Sequence, residues 1–251
     1  MKELITAIHN AQPDVVVVSG DLTQRARRRE FERARQFLDE LPQPYLVVPG
    51  NHDVPMHNVF ARFTGALDNY RRYITEDLEP FYVDDEIAIV GLNTARSLTI
   101  KGGRVNHQQI ARVEETLGQV PPDHIKIVIS HHPFDLPEHY EGKHLVGRAQ
   151  MAMNRFASSG VDLFLAGHFH LSHCGRTAER YSFGEYSGIF VQAGTACSVR
   201  VRGEQNSFNI LRTNRDSVVV ENVSLHIEGV FRTASIDQFA RTSSGWVRVR
   251  D

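Results

Sequence analysis

The amino-acid sequence predicts an α/β fold, and three observations support this class. The 251 residues, of which 41% are hydrophobic, suit one domain with a sizeable core. Up to about residue 187, apolar β-branched runs alternate with stretches of helical periodicity, which is typical of parallel βαβ units. After that point the strands are short and alternate in polarity, which indicates antiparallel hairpins in a second layer.

Each element follows from a local pattern. Residues 2–11 form an amphipathic pattern that Pro13 ends, so they predict a helix. Val15–Val18 is a continuous β-branched run, which is typical of a strand covered on both faces. By the same criteria we expect further helices at 27–40, 56–74, 106–118 and 147–158. We expect further strands at 45–48, 87–92, 125–129, 161–166, 189–193, 207–211 and 218–224.

Charge and cysteine content disfavour several classes. The net charge of −2 provides no general attraction for nucleic acid. The run Arg25–Arg29 is a local exception, for which a solvated helix start is favoured over an anion-binding patch. The two cysteines lack zinc-knuckle or disulfide spacing, which favours a cytoplasmic location. No apolar run approaches the roughly 18 residues of a membrane helix, and no apolar segment follows Met1 as in a signal peptide.

Four short motifs each follow an apolar run. They are Gly20-Asp21, Gly50-Asn51-His52-Asp53, His131-His132 and Gly167-His168-Phe169-His170. Because the carboxyl ends of strands in an α/β sheet meet at one edge, their side chains should converge there. Carboxylate, carboxamide and imidazole donors suit Mn, Fe, Co, Ni or Zn. A turn or a polar loop could explain single motifs, but all four in order favour a metal site.

The ordered motifs resemble those of the calcineurin-like metallophosphoesterase superfamily, whose pattern runs D-x-H, G-D, G-N-H-[DE], H, G-H-x-H. Ser19–Thr23, Val48–Asp53 and Gly194–Ala196 are similar to bacterial class III cyclic-nucleotide phosphodiesterase-like enzymes. The resemblance covers nearly the whole chain. It implies a four-layer sandwich of two mixed sheets flanked by helices. It also implies metal cofactors, one or two divalent or trivalent ions per chain, such as Mn, Fe, Zn or Co.

The resemblance also implies roles for individual residues. Asp21 would bridge two metal ions, and His170 would complete the first metal site. The second site would be formed by Asn51, His131 and His168, with His132 behind His131. His52 would lie beside the phosphate, stabilising charge or protonating the leaving oxygen, and Asp53 would orient its ring.

The opening D-x-H motif of the pattern is not found before Gly20-Asp21. We therefore expect residues 1–251 to form one N-terminally incomplete domain whose first strand is missing, through a lost N-terminus or as a natural short form. The first metal site would then keep only Asp21 and His170, with one ion bound firmly, a second weakly, and reduced hydrolysis. Alternatively, a second chain fills the gap in a homodimer.

The preferred functional interpretation is a metal-dependent phosphodiesterase that hydrolyses small phosphodiesters, with cyclic nucleotides as first candidates, by attack of a metal-bound hydroxide. A phosphomonoesterase or a nuclease of the same superfamily is an alternative, although the net charge disfavours a nucleic-acid partner. The other alternative is a binding or scaffold protein that kept the fold and lost activity. No membrane partner is expected.

Overall fold

The computed structural model describes residues 1–55, 65–95, 102–136, 145–197, 205–243 and 245–249. Its helices are α1 (Lys2–Ala11), α2 (Arg28–Asp39), α3 (Asp68–Tyr73), α4 (His107–Gly118) and α5 (Ala149–Ser158). Its strands are β1 (Val16–Val18), β2 (Tyr45–Val47), β3 (Phe81–Val83), β4 (Ile87–Leu92), β5 (Ile125–Ser130), β6 (Leu163–Ala166), β7 (His173–Arg176), β8 (Ile189–Gln192), β9 (Ser207–Thr213), β10 (Ser217–Leu225), β11 (Phe231–Thr242) and β12 (Gly245–Val249).

The largest sheet has six strands in the order β3-β4-β5-β6-β8-β7. Its four central strands are parallel, while β3 and β7 are antiparallel edge strands. At the carboxyl edge, Ser130 of β5 pairs with Leu92 of β4 and with Ala166 of β6. The loops that follow these strands therefore start side by side, and they carry His131-His132 and Gly167–His170.

The second β layer consists of a parallel pair, β1-β2, and an antiparallel sheet in the order β12-β11-β10-β9. In the parallel pair Val18 is opposite Val47, so the loops with Gly20-Asp21 and Gly50–Asp53 also start side by side. Within the described part of the chain, β1 pairs with β2 alone, and its three valines are only half-buried. An edge position explains this exposure, since an edge strand has one uncovered side.

Three hydrophobic clusters hold four layers together. Helices α4 and α5 cover one face of the six-stranded sheet, with Val113 and Phe156 packed near Phe164. Between the two β layers, Ile127 shares a cluster with Val220. Helices α1, α2 and α3 cover the outer face of β1-β2. This α/β-β/α arrangement confirms the predicted fold class, although the second layer is a parallel pair and a separate antiparallel sheet instead of one mixed sheet.

A buried carboxylate connects the two β layers. Asp162, which precedes β6, accepts hydrogen bonds from the indole nitrogen of Trp246 at 2.9 Å and from the backbone N–H of Lys126 at 2.9 Å. The guanidinium of Arg241 forms an ion pair with the same carboxylate at 2.9 Å and lies 4.7 Å from the centre of the Trp246 ring. Strands β11 and β12 thus each contribute a side chain to this contact with the six-stranded sheet.

Most of the predicted elements agree with the structure. Of the helix predicted at 56–74, the structure shows Asp68–Tyr73, and residues 56–64 lie outside the described ranges. The sequence analysis missed β3, β7, β11 and β12. Strand β11 is largely exposed and polar, so it lacks the alternation that identifies a half-buried strand. None of the described helices has the length and apolar character needed to cross a membrane.

Candidate metal centre

The loops after β1 and β2 contact each other through two glycines. Gly20 has a φ of +87°, and a Cβ added there would lie 2.7 Å from the backbone nitrogen of Gly50. A Cβ added at Gly50 would in turn lie 2.9 Å from Cγ of Asp21. Since real Cβ atoms do not approach so closely, both positions require glycine. This close approach brings Asp21 next to Asn51.

The side chain of Asp53 connects the same two loops. Its buried carboxylate accepts hydrogen bonds from the backbone N–H groups of Gly50 (2.9 Å), Thr23 (2.9 Å) and Leu22 (3.3 Å). Burial, and after it the charge of Asp21, raise the pKa of Asp53 to about 7, while the three backbone hydrogen bonds oppose the rise. Its oxygens accept hydrogen bonds from the backbone, whereas the sequence analysis predicted that Asp53 would orient the His52 ring.

Four of the five predicted ligands come together at the carboxyl edge. The Asn51 side-chain oxygen lies 3.0 Å from Nε2 of His131 and 3.0 Å from Nδ1 of His168. These two ring nitrogens are 3.2 Å apart. Oδ1 of Asp21 lies 3.4 Å from Nε2 of His131. Residues from four separate loops therefore surround one point.

The hydrogen bond of His131 fixes its tautomer. Nδ1 lies 2.8 Å from the backbone carbonyl oxygen of Ser19, and a carbonyl can only accept, so Nδ1 carries the proton. Nε2 then presents a lone pair toward the oxygens of Asn51 and Asp21. In this tautomer one imidazole nitrogen and two side-chain oxygens converge with Nδ1 of His168, which lies 3.2 Å from Nε2 of His131, at a point where one cation could be bound. The donor set therefore fits a metal ion.

Electrostatics keep His168 in the neutral form that binds metals. Burial lowers its pKa to about 4, the neighbouring His131 adds to the shift, and Asp21 opposes it. Backbone geometry adds a second mark of a functional site: Asp21, His168 and His170 have φ values of +56°, +80° and +58°. Such conformations are costly for residues other than glycine, and they concentrate at functional sites.

His132 lies closer to the cluster than its predicted place behind His131 suggests. The ring nitrogens of His131, His132 and His168 all lie within 4.8 Å of one another. Nδ1 of His132 is 2.9 Å from the hydroxyl of buried Thr94, a contact that sequence reasoning missed. Thr94 follows β4 at the same sheet edge, so its position after that strand is the signal that could have identified it.

The remaining candidates lie around the cluster. Nδ1 of His170 is 2.5 Å from the hydroxyl of Thr195, on the loop after β8. Nδ1 of His52 lies 3.0 Å from the carbonyl of Gln24, and the His52 backbone N–H donates to Asp21 at 2.9 Å. The ring of His52 is therefore anchored by a backbone carbonyl, while its backbone helps to hold the Asp21 carboxylate.

Gly50→Ala is expected to weaken metal binding by at least about 10-fold, as changes beside a metal ligand typically do. The added methyl group would collide with the carboxylate and the backbone nitrogen of Asp21 and would therefore displace this residue. The measurement is Mn²⁺ titration by calorimetry. Gly118→Ala is the matched control, because a Cβ there meets nothing within 4 Å. Equal Mn²⁺ affinity in both variants would contradict the proposed importance of this close approach.

Two curated phosphodiesterases are among the proteins that this chain resembles in sequence. The probable glycerophosphodiester phosphodiesterase GpdQ of Arcobacter nitrofigilis is 26% identical over 166 residues, covering 63% of this chain and 57% of the relative. The 3',5'-cyclic adenosine monophosphate phosphodiesterase CpdA of Escherichia coli K12 is 22% identical over 166 residues, covering 64% and 56%. The chain thus spans somewhat more than half the length of these two curated relatives.

The fold also has a counterpart among solved structures. The purple acid phosphatase PPD1 of yellow lupin superposes with a TM-score of 0.69 at 13% identity, covering 96% of this chain and 48% of that one. The family model described as calcineurin-like phosphoesterase matches residues 1–172, which include all four motifs. The chain therefore belongs to the calcineurin-like phosphoesterase family.

Proposed function

We propose that this chain is a metal-dependent phosphodiesterase that hydrolyses small phosphodiesters. The observation that carries the proposal is the convergence of side chains from Asp21, Asn51 and His131, with neutral His168, at the carboxyl ends of strands from both β layers. The names of the relatives support diesters, since one is a probable glycerophosphodiester phosphodiesterase and another a cyclic adenosine monophosphate phosphodiesterase.

The residues fall into two groups in this proposal. Asp21, Asn51, His131 and His168 would hold one ion firmly, with His132 adjacent to them. Asp21 and His170 would hold a second ion weakly. We propose Mn, Fe, Zn or Co, because oxygen and imidazole donors suit these metals. When bound, such ions neutralise charge on a phosphoryl group and supply a hydroxide nucleophile at neutral pH.

His52 would act on the leaving group. Its Nδ1 faces the Gln24 carbonyl and therefore carries a proton, which leaves Nε2 as the ring nitrogen that can exchange a proton with substrate. Anchoring of the ring through Nδ1 fixes the direction in which Nε2 is presented. Asp53 contributes indirectly, by holding the loop on which both Asn51 and His52 lie.

The test is hydrolysis of bis(p-nitrophenyl) phosphate. We expect turnover of this diester that Mn²⁺ stimulates and a chelator abolishes. For a diester with an alkoxide leaving group, such as glycerophosphoethanolamine, we expect kcat to fall about 100-fold in His52→Ala, as for removal of a general acid. His107→Ala is the matched control, because His107 is exposed at the start of α4. Turnover that is absent from the wild type, or turnover of the diester with the alkoxide leaving group that is unchanged in His52→Ala, would overturn the proposal and leave a binding protein as the better interpretation.

A further inference from the structure

A polar cavity of about 240 Å³ lies between the start of strand β7 and the antiparallel sheet. The described residues that line it are Ser172, Gln205, Ser207, Asn222, Ser224 and Ser235. An adjoining cavity of about 190 Å³ shares three of them, and its wall includes the ion pair of Arg248 and Asp237 at 2.8 Å. The larger cavity is therefore lined by neutral hydrogen-bonding groups.

The cavity arises from a change of polarity along the sheet. On strand β10 the alternate residues Val218 and Val220 are buried in the core, but the next two in the series are Asn222 and Ser224. Asn222 is paired with Asn209 on β9 and with Ser235 on β11, so a polar row crosses the sheet. The residues of this row are half-buried, except Ser235, which is exposed. The row is therefore accessible from solvent and can contact a ligand.

Several of these groups have hydrogen-bonding capacity left over. The amide nitrogen of Asn222 donates to the Ser172 hydroxyl at 2.7 Å and to the Asn209 side-chain oxygen at 3.0 Å. The described residues offer no donor to the side-chain oxygen of Asn222. The hydroxyl of Ser207 is buried and has no hydrogen-bond partner in the described part of the chain. The amide oxygen of Asn222 is therefore an unused acceptor in the cavity wall.

The wall of the cavity is continuous with the loop that contacts His170. The backbone N–H of Ser207 donates to the carbonyl of Thr195 at 2.9 Å. The hydroxyl of the same threonine lies 2.5 Å from Nδ1 of His170. Ser172 follows His170 by two residues. The cavity wall is therefore joined to His170 through Ser172 along the chain and through Thr195 by hydrogen bonds.

We infer that this cavity binds the hydroxyl-bearing alcohol moiety of the phosphodiester, such as a glycerol group. The inference rests on the proposed function and narrows its substrate class. Hydroxyl groups both donate and accept, so they complement serine hydroxyls and an amide oxygen. The described lining of the larger cavity has no cation for a second phosphate and no aromatic ring for a base. A polyol therefore fits it better than a nucleobase does.

The test compares glycerophosphoethanolamine with bis(p-nitrophenyl) phosphate, which has no alcohol hydroxyl. In Asn222→Leu we expect KM for the glycerol diester to rise about 10-fold, as for loss of one or two hydrogen bonds, and KM for the aryl diester to stay within about 2-fold. Ser224→Val is a second variant with the same expectation. Asn154→Leu, on the exposed side of α5, is the matched control. Thermal unfolding confirms that each variant is folded.

The outcomes separate this inference from the proposed function. Equal changes of KM for both substrates, or no change for either, would overturn the inference while leaving the phosphodiesterase intact. If the wild type hydrolyses neither diester, the proposed function fails. The cavity is then tested by saturation-transfer NMR with glycerol as probe. A glycerol signal that Asn222→Leu removes supports a polyol site, and a signal absent from the wild type or unchanged in the variant rejects it.

Discussion

Asn51→Ala is expected to lower kcat/KM for bis(p-nitrophenyl) phosphate on the order of 1,000-fold, which corresponds to about 4 kcal/mol of transition-state stabilisation. The side-chain oxygen of Asn51 lies 3.0 Å from a ring nitrogen of both His131 and His168. Its removal takes away a proposed ligand and also the group that the two rings share. We expect bound Mn²⁺ after dialysis to fall from about one ion per chain in the wild type to well below that level.

The variant needs a control that separates metal loss from unfolding. Asn154→Ala changes an exposed asparagine on α5 and should keep both activity and bound Mn²⁺. The thermal unfolding temperature of Asn51→Ala, measured without added metal, should remain close to that of the wild type. The main chain of this loop is held by hydrogen bonds to Asp53 and not by the side chain of Asn51. Full activity in Asn51→Ala would refute the proposed metal centre.

Asp162→Ala is expected to lower the free energy of unfolding by about 3–5 kcal/mol, the range for removal of one partner of a buried charged pair. The substitution would leave the indole N–H of Trp246, the guanidinium of Arg241 and the backbone N–H of Lys126 without their acceptor. Since Trp246 is buried, water cannot easily replace the lost carboxylate there. Urea-induced unfolding measures the effect.

Asp85→Ala is the matched control, because Asp85 is exposed in the turn between β3 and β4. We expect its midpoint of unfolding to differ little from that of the wild type, as is usual for surface positions. A loss of stability in Asp162→Ala no larger than in Asp85→Ala would show that the connection between the β layers does not depend on this carboxylate.

The sequence was sufficient to predict which side chains converge because each of them stands directly after a strand. Asp21, Asn51, His131 and His168 each follow an apolar run; the strand registers bring the ends of β1 and β2 together in one layer and the ends of β5 and β6 together in the other. Contacts between loops that are far apart in sequence could not be predicted from such local patterns. The Thr94 hydroxyl beside His132, which comes from 38 residues earlier, depends on which strands become neighbours.

The same limit applies to strands that pair at the edges of the fold. Strand β7 contains Gly175 and two charged or titratable side chains, so its four residues have no apolar pattern of their own. It becomes a strand because β8 offers it an antiparallel partner. The polar row through Asn222 was also not predicted. Local alternation shows on which face of the sheet a residue lies, but not which element packs against that face.

The backbone is left-handed at Asp21, His168 and His170, and this conformation has a cost in stability. Each such conformation costs of the order of 1–3 kcal/mol in a residue with a Cβ, a strain that glycine relieves. A protein that needed only the shape of this fold would gain stability from glycine at these three positions. At these three positions the chain has a carboxylate and two imidazoles instead, which are the groups that the proposed metal centre requires.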